Sequence, residues 1–321
     1  MTVTQHATSG KRSTLADAKV AYLIVYVEDI ARSRAFYEQT LGLRPLETGA
    51  RSVKYDTGGV RLWLRVAADD DVALPSGTDD SCDVVFLVDD AREMRAALEQ
   101  RGLEIAHQRT YGVGTVVDFY DPDGHRLMLY EVSEHAMTTP VAGNLRDVWS
   151  SSGKGGDEGL IGAPAAQVGA DLVETGLDGK PLIYFFLFIH DLHKAADFFE
   201  AKLGLDVLDR SHCCSDHCPD DEPGVVKYDG GDIIVSTHHM HGHHSVLDDQ
   251  GRPYAARDYD PWFAKGVATV FDVDGIERVV GELEHRGVRF RGEIVRSEDG
   301  ALAGFEAPSG HLLYVHEAAA G

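Results

Sequence analysis

Two short stretches of the sequence concentrate side chains that bind metal ions. The first, His212-Cys-Cys-Ser-Asp-His-Cys218, holds six potential ligands within seven positions, and the second, His238-His-Met-His-Gly-His-His244, adds five imidazoles. Imidazole and thiolate bind divalent transition metals, although these spacings do not distinguish Fe, Zn, Ni or Cu. The alternative is a solvated His-rich loop with adventitious metal affinity. We predict a metal site with ligands among His212, Cys214, His217, Cys218, His239 and His241.

An internal repeat organises the rest of the chain. Tyr22-Leu-Ile-Val-Tyr-Val-Glu-Asp29 matches Tyr184-Phe-Phe-Leu-Phe-Ile-His-Asp191 at an offset of 162 residues. The later pair Pro122-x-Gly-His125 and Pro308-x-Gly-His311 matches at an offset of 186 residues. The chain is therefore a duplication, and the growing offset locates the Cys/His-rich stretches in insertions that only the second copy carries.

Each copy repeats one pattern twice: an apolar run, an amphipathic helix closed by Gly, and three short strands. If the first and second strands of such a βαβββ unit run parallel, the turn after the first strand, the hairpin after the second strand and the end of the last strand share one rim. We therefore expect both insertions to meet at one rim of the second copy. Alternation along the strand from Val235 predicts that Thr237 and His239 point inward.

The composition excludes several classes of protein. The 321 residues are 43% hydrophobic and carry a net charge of −23, which disfavours nucleic-acid and anionic-membrane partners. Because no apolar stretch is long enough for a membrane span or resembles a secretion signal, we expect a cytoplasmic protein. The single histidines His107, His125, His285 and His311 are expected to be ordinary surface side chains.

The motifs Val27-Glu-Asp-Ile-Ala-Arg-Ser-Arg-Ala-Phe-Tyr-Glu-Gln-Thr-Leu-Gly42 and Asp121-Pro-Asp-Gly-His-Arg-Leu-Met-Leu-Tyr-Glu131 resemble the vicinal oxygen chelate superfamily. That superfamily includes glyoxalase I, bleomycin-resistance proteins and extradiol dioxygenases. The resemblance implies an α+β fold of two tandem domains, each of two paired βαβββ modules that form a cupped mixed sheet. We expect a flexible N-terminus over 1–19, domains over 20–133 and 181–318, and a linker over 134–180.

In that superfamily the metal ligands are typically a His or Gln opening the first strand of a module and a Glu in the last strand. The resemblance places Tyr22, Asp83, Tyr184 and Ala268 at the opening positions, and Met128 and Tyr314 at last-strand positions. Only Asp83 is a usual ligand. We expect Tyr22, Trp63, Asp83 and Met128 to line a substrate pocket of the first copy.

Tyr184 and Tyr314 are the candidate catalytic residues, because two phenols pointing into one cup could donate hydrogen bonds to a carbonyl or enolate oxygen. The alternative is that both tyrosines fill the core. The leading interpretation is a lyase, isomerase or dioxygenase that acts on a small oxygenated or aromatic molecule and uses a divalent transition metal. A metal-free binding protein resembling bleomycin-resistance proteins and a metal-buffering protein remain alternatives, and a homodimer is left open.

Overall fold

The computed structural model describes residues 14–74, 77, 79–111, 114–137, 169–189, 191–211, 224–239, 266–298 and 300–319. Within these ranges the chain forms sixteen strands that fall into four groups of four. The strands are β1 (Lys19–Val27), β2 (Pro45–Thr48), β3 (Ser52–Tyr55), β4 (Arg61–Val66), β5 (Asp79–Leu87), β6 (His107–Tyr111), β7 (Gly114–Tyr120), β8 (His125–Val132), β9 (Leu182–Ile189), β10 (Val207–Ser211), β11 (Val225–Asp229), β12 (Ile234–His239), β13 (Val267–Asp272), β14 (Val295–Ser297), β15 (Gly300–Glu306) and β16 (Leu312–Ala318).

A helix follows the first strand of each group, so that each group is one βαβββ module. In the first and third modules the helix begins with an Asp cap, Asp29 or Asp191, and continues into a π-helical turn. The helices are α1 (Ile30–Arg34), α2 (Ala91–Gln100), α3 (Glu134–Met137), α4 (Ala170–Thr175), α5 (Leu192–Ala196) and α6 (Ile276–His285). None of the helices described here is long and apolar enough to cross a membrane.

The modules pair into two curved eight-stranded mixed sheets, which confirms the α+β class and the paired, cupped modules. The first sheet has the order β14-β15-β16-β13-β1-β4-β3-β2, and the second has the order β10-β11-β12-β9-β5-β8-β7-β6. The first module therefore pairs with the fourth, and the second module pairs with the third. Each cup is built from both sequence copies, whereas the repeat suggested pairing of consecutive modules.

Two antiparallel seams produce this pairing. β1 lies beside β13, with Tyr22 opposite Val270, and β5 lies beside β9, with Val85 opposite Tyr184. Within each module the first and last strands run parallel.

Side-chain alternation gives each sheet two different faces. One face packs against the helices in a common core that includes Val25, Phe86, Phe185 and Phe271. The opposite, inner face of each sheet carries its own smaller cluster. We call the inner face of the first sheet the first cup and that of the second sheet the second cup.

Two buried histidines connect the sheets. His125 Nε2 lies 2.7 Å from the carbonyl oxygen of Tyr26, and His311 Nε2 lies 3.2 Å from that of Ser81. Each histidine is 1% exposed. The expectation of surface positions was wrong for both, because the Gly turn before each histidine directs the chain into the junction between the sheets and not outward.

Candidate functional site

The deep end of the first cup holds a pair of tyrosines. The hydroxyl oxygens of Tyr26 and Tyr314 are 2.7 Å apart, and both residues are buried. Burial raises the pKa of both phenols above its ordinary value, and the neighbouring Tyr314 raises that of Tyr26 further. The pair therefore stays protonated near neutral pH and can act only as a donor or acceptor of hydrogen bonds.

Trp63 forms the wall of the first cup between two cations. The Lys54 ammonium lies 4.8 Å and the Arg65 guanidinium 4.6 Å from the centre of its ring, within the range of cation–π attraction. Lys54 pairs with Glu47 at 2.7 Å, and Arg65 binds both carboxylate oxygens of Asp70. The wall is thus aromatic and its charges are compensated.

At the rim of the first cup, Tyr22 packs edge-on against His316 with ring centres 5.7 Å apart, and tilts toward Trp63 at 5.5 Å. His316 Nδ1 lies 2.9 Å from a carboxylate oxygen of Asp272. Tyr22, Trp63 and His316 therefore form an aromatic rim.

The second cup contains a buried ion pair. Arg126 Nε of β8 binds the Asp83 carboxylate of β5, and the two residues are 4% and 1% exposed. The Arg126 guanidinium also lies 5.2 Å from the centre of the Phe188 ring on β9. Asp83, the one hard ligand at a position implied by the resemblance, is therefore engaged by a cation.

His238 lies on the same inner face as this ion pair, among aromatic rings. Its ring centre is 4.8 Å from that of Phe186 and 5.5 Å from that of Phe188, and Ser236 Oγ is 3.0 Å from its Nε2. Tyr184 continues the wall, 5.1 Å from Phe186. Burial raises the pKa of Tyr184. The second cup thus combines an imidazole and a guanidinium with a flat apolar wall.

The structure does not bring the two candidate catalytic tyrosines together. Tyr184 belongs to the second cup and Tyr314 to the first. The expected four-residue pocket is divided in the same way, because Tyr22 and Trp63 face the first cup whereas Asp83 and Met128 belong to the second sheet. The physical cause is the pairing of non-consecutive modules, which places the third and fourth modules in different sheets.

Most of the predicted metal ligands lie outside the described residues, namely His212, Cys214, His217, Cys218 and His241. The strand ends on either side of the first insertion are adjacent to the strand end where the second insertion begins: Ser211 pairs with Val225, Val225 with His238, and His239 with Ile189. His239 itself is described.

The predicted inward orientation of Thr237 and His239 was wrong. Val235, two positions earlier, belongs to the helix-side core, whereas Ile234 belongs to the cluster of the second cup. His238 therefore faces the cup, and His239, the next residue along the strand, points to the opposite face of the sheet.

The described positions do not fit the metal site of the superfamily. Tyr22, Ala268 and Tyr314 in the first cup, and Tyr184 and Met128 in the second, supply no imidazole or carboxylate. Across the described ranges, no group of three or more His, Cys, Asp or Glu side chains could hold an ion. A metal at the usual place is therefore not supported by these side chains.

Sequence reasoning did not single out Arg126, Lys54 or Arg65, which the structure places in the cups. A signal was present, because each is a cation inside a strand whose neighbours are mostly apolar, as in His125-Arg-Leu-Met-Leu-Tyr130. Buried cations require partners, so such positions mark ion pairs.

Comparison with known proteins agrees with this architecture. Glyoxalase I from Zea mays aligns over 94% of this chain and 92% of its own, with a TM-score of 0.54 and 13% identity. A dioxygenase-like protein from Bacillus subtilis subsp. subtilis str. 168 aligns over 97% of this chain and 87% of its own, with a TM-score of 0.53 and 12% identity. At such identities the likeness shows the fold alone.

The sequence model of one family matches the chain twice, over residues 19–129 and 182–315, which is one match in each copy. These ranges contain every strand of both sheets apart from the final residues of β8 and β16. The chain belongs to the Glyoxalase/Bleomycin resistance protein/Dioxygenase superfamily.

Proposed function

We propose that the protein is an enzyme that acts on a small oxygenated or aromatic molecule in the second cup. The observation that carries this proposal is the position of His238 on the same inner face as the Asp83–Arg126 ion pair, against the rings of Phe186 and Phe188. A purely apolar binding surface would not require a half-buried imidazole on the same face as a buried guanidinium.

Each of these groups has a distinct role in the proposal. The imidazole of His238 moves a proton to or from the substrate, the role that histidine most often has in general acid–base catalysis. The guanidinium of Arg126 orients and stabilises an oxygen that gains negative charge. The rings of Phe186 and Phe188 hold a flat substrate between these groups. Chemistry of the lyase, isomerase or dioxygenase type is compatible with this arrangement.

We further propose that the Cys/His-rich insertions hold a divalent transition metal at the rim of the second cup. The adjacency of Ser211, Val225, His238 and His239 at the strand ends supports it, because the first insertion begins and ends there and the second begins there. The proposed ligands are His212, Cys214, His217, Cys218, His239 and His241. Bound there, the metal would act as a Lewis acid.

A metal-free binding protein is the second candidate. It is favoured by Arg126 engaging Asp83 and by the absence of His and Glu at the usual ligand positions among the described residues. In that case both cups bind flat molecules without turnover. We also propose that the protein is located in the cytoplasm and that it forms a homodimer.

Metal analysis of the untagged full-length protein, purified without added metal, tests the rim site. We expect about one equivalent per chain for a single site of this type, and a large loss in Cys214→Ser and His217→Ala. His285→Ala, which changes an exposed histidine at the end of α6, is the matched control and should keep the metal. Near-zero metal in the parent protein contradicts the rim site, and several equivalents per chain indicate a metal buffer.

Turnover of a panel of molecules with two neighbouring oxygens, including catechol and an α-hydroxyketone, tests the enzyme. His238→Gln should lower turnover by about 100-fold or more, the usual contribution of a general acid or base. His285→Ala should not change it. Binding of panel members with no turnover, and with equal affinity in His238→Gln, favours the metal-free binding protein.

A further inference from the structure

The first cup is closed, and a segment of the first copy contributes to closing it. Ile24, Tyr26 and Val270 on its inner face are 0% exposed, so this face of the sheet does not lie open to water. Residues 67–74, which follow β4, pack against it: Ala67 and Val72 are buried members of the same apolar cluster, and Leu74 is partly buried against it. We call residues 67–74 the plug.

The plug has an apolar side and a polar side. It begins with one 3₁₀ turn over Ala67–Asp70, and the turn ends at Asp71, whose φ of +52° lies in the left-handed region. The amide of Val72 then donates to the carbonyl oxygen of Ala67 at 3.0 Å. Asp69, Asp71 and Ala73 are exposed, whereas Val72 between them is buried. The plug is therefore a short amphipathic segment with its apolar side in the cup.

Two arginines hold the polar side of the plug. Arg65 of β4 donates to both carboxylate oxygens of Asp70, at 2.6 and 2.7 Å. Arg291 of the fourth module donates to the backbone carbonyl oxygen of Asp71 at 3.2 Å. The side chains of Arg65, Asp70 and Arg291 are all partly exposed. Anchors in contact with water open at lower cost than the backbone ladder of the buried sheet beneath them.

Arg65 also connects the plug to the interior of the cup. Its guanidinium lies 4.6 Å from the centre of the Trp63 ring. Burial is the main cause of the raised pKa of Tyr26 and Tyr314, and the charge of Asp70 raises the pKa of both further. Movement of the plug would therefore change the surroundings of the Trp63 indole and of the tyrosine pair.

We propose that the plug is an autoinhibitory segment that fills the first cup with the protein's own chain and opens as a unit. Opening breaks the anchors at Arg65 and Arg291 and withdraws Val72 from the apolar cluster, while both sheets stay folded. The proposal concerns the first cup alone, so it does not rest on the function proposed for the second cup.

Amide hydrogen exchange of the parent protein measures the opening. The Val72 amide should exchange about 100-fold faster than the Ile24 amide of β1, and low concentrations of urea should not accelerate it, because a local opening exposes little surface. Arg291→Gln removes one anchor and should raise the Val72 rate by about fivefold. The matched control is Arg278→Gln, which changes an exposed arginine paired with Glu282 in α6 and should leave the Val72 rate unchanged.

Fluorescence titration with 1-anilinonaphthalene-8-sulfonate tests access to the cup. Val72→Ser places a hydroxyl in the apolar cluster, which favours the open plug, and should create a probe site that the parent lacks. Ala73→Ser changes the exposed neighbour and should not create this site. Val53→Ser changes a buried valine on the helix side of the same sheet, so it loosens the core without touching the plug and should not create the site either.

Three results would overturn the proposal. The first is a Val72 amide with the exchange rate and urea dependence of Ile24, which would mean that the plug opens only when the sheet unfolds. The second is equal probe binding by Val72→Ser and Val53→Ser, which would show general loosening of the protein. The third is a folded Val72→Ser that gains no probe site. If Val72→Ser does not fold, hydrogen exchange of the parent protein decides.

Discussion

At the scale of single residues, the two cups differ in how they neutralise buried charge. In the first cup, Lys54 pairs with Glu47, a partner that is more than half exposed, so this pair remains in contact with water. In the second cup both Asp83 and Arg126 are almost fully buried. A buried ion pair is costly to break because either partner left alone is an uncompensated charge in a medium of low polarity. Asp83 therefore stabilises Arg126 in its position as the cation that faces the cup.

Replacement of Asp83 by Leu should lower the free energy of unfolding by about 3 kcal/mol or more, because it leaves the guanidinium of Arg126 buried without its carboxylate. Adding Arg126→Met to that variant should recover a large part of the loss, since no buried charge then remains. Urea unfolding of both variants measures this.

The control is Asp69→Ala, which breaks the exposed ion pair between Asp69 and Arg51. Its effect on stability should be too small to resolve, because water screens such pairs. If the double variant at Asp83 and Arg126 is as unstable as Asp83→Leu alone, the loss comes from packing and not from the unpaired charge.

At the scale of elements, sequence patterns predicted which strands and helices form but not which face of β12 is inner. Ile234, Val235, Ser236 and Thr237 are all 0% exposed. When a strand is buried on both faces, its sequence has no solvent-facing side that would show which alternate residues point into the cup. The choice between His238 and His239 therefore depended on packing against α5 and the rings of β9, which the local sequence does not show.

The pairing of modules was unpredictable for a related reason. The four modules resemble one another, so the sequence of one module does not specify its partner. The seams of β1 with β13 and of β5 with β9 decide it, and both join segments far apart in the chain. The residue types at the metal positions implied by the resemblance could be read from the sequence. Which of these positions share a cup could not.

The start of α6 shows how strands stabilise helices in this fold. Gly275 precedes the helix and offers no side-chain cap. Glu317 on β16 accepts instead from the backbone N–H groups of Gly275 and Ile276, at 2.7 and 3.3 Å. Glu317→Ala should therefore lower stability by about 1 kcal/mol, the usual value of a helix cap.

Glu317→Gln separates the effect of the hydrogen bonds of this carboxylate from the effect of its negative charge. The amide keeps one acceptor oxygen but not the negative charge that favours a helix N-terminus. Thermal unfolding should place Glu317→Gln between the parent and Glu317→Ala. Equal stability of the parent and Glu317→Ala would show that water replaces the cap at no cost.

At the scale of the whole molecule, the two sheets are joined through side chains that belong to neither cup. Tyr37 of the first module donates to Asp121 of the second at 2.9 Å, and Asp123 binds Arg32 and Ser33 of the first. The turn that carries Asp121 and Asp123 therefore fixes the second module against the first. His125 and His311 complete the junction, each through a contact between its Nε2 and a backbone carbonyl oxygen of the other sheet.

The imidazole of His311 makes this junction sensitive to acid. Burial lowers its pKa from 6.5 to about 4 in the folded protein, where Nε2 donates to the Ser81 carbonyl and Nδ1 accepts from Ser309 Oγ at 2.7 Å. Between these two values the unfolded chain binds a proton that the folded chain does not. The stabilising contribution is therefore complete above pH 6.5 and is lost as the pH falls toward 4, by on the order of 3 kcal/mol in total.

Urea unfolding between pH 7 and 4.5 should show a steeper loss of stability for the parent than for His311→Asn, which keeps an amide donor but does not titrate. The control His285→Ala should follow the parent curve, since His285 is exposed. Parallel curves for the parent and His311→Asn would mean that the acid sensitivity of the junction arises from groups other than His311.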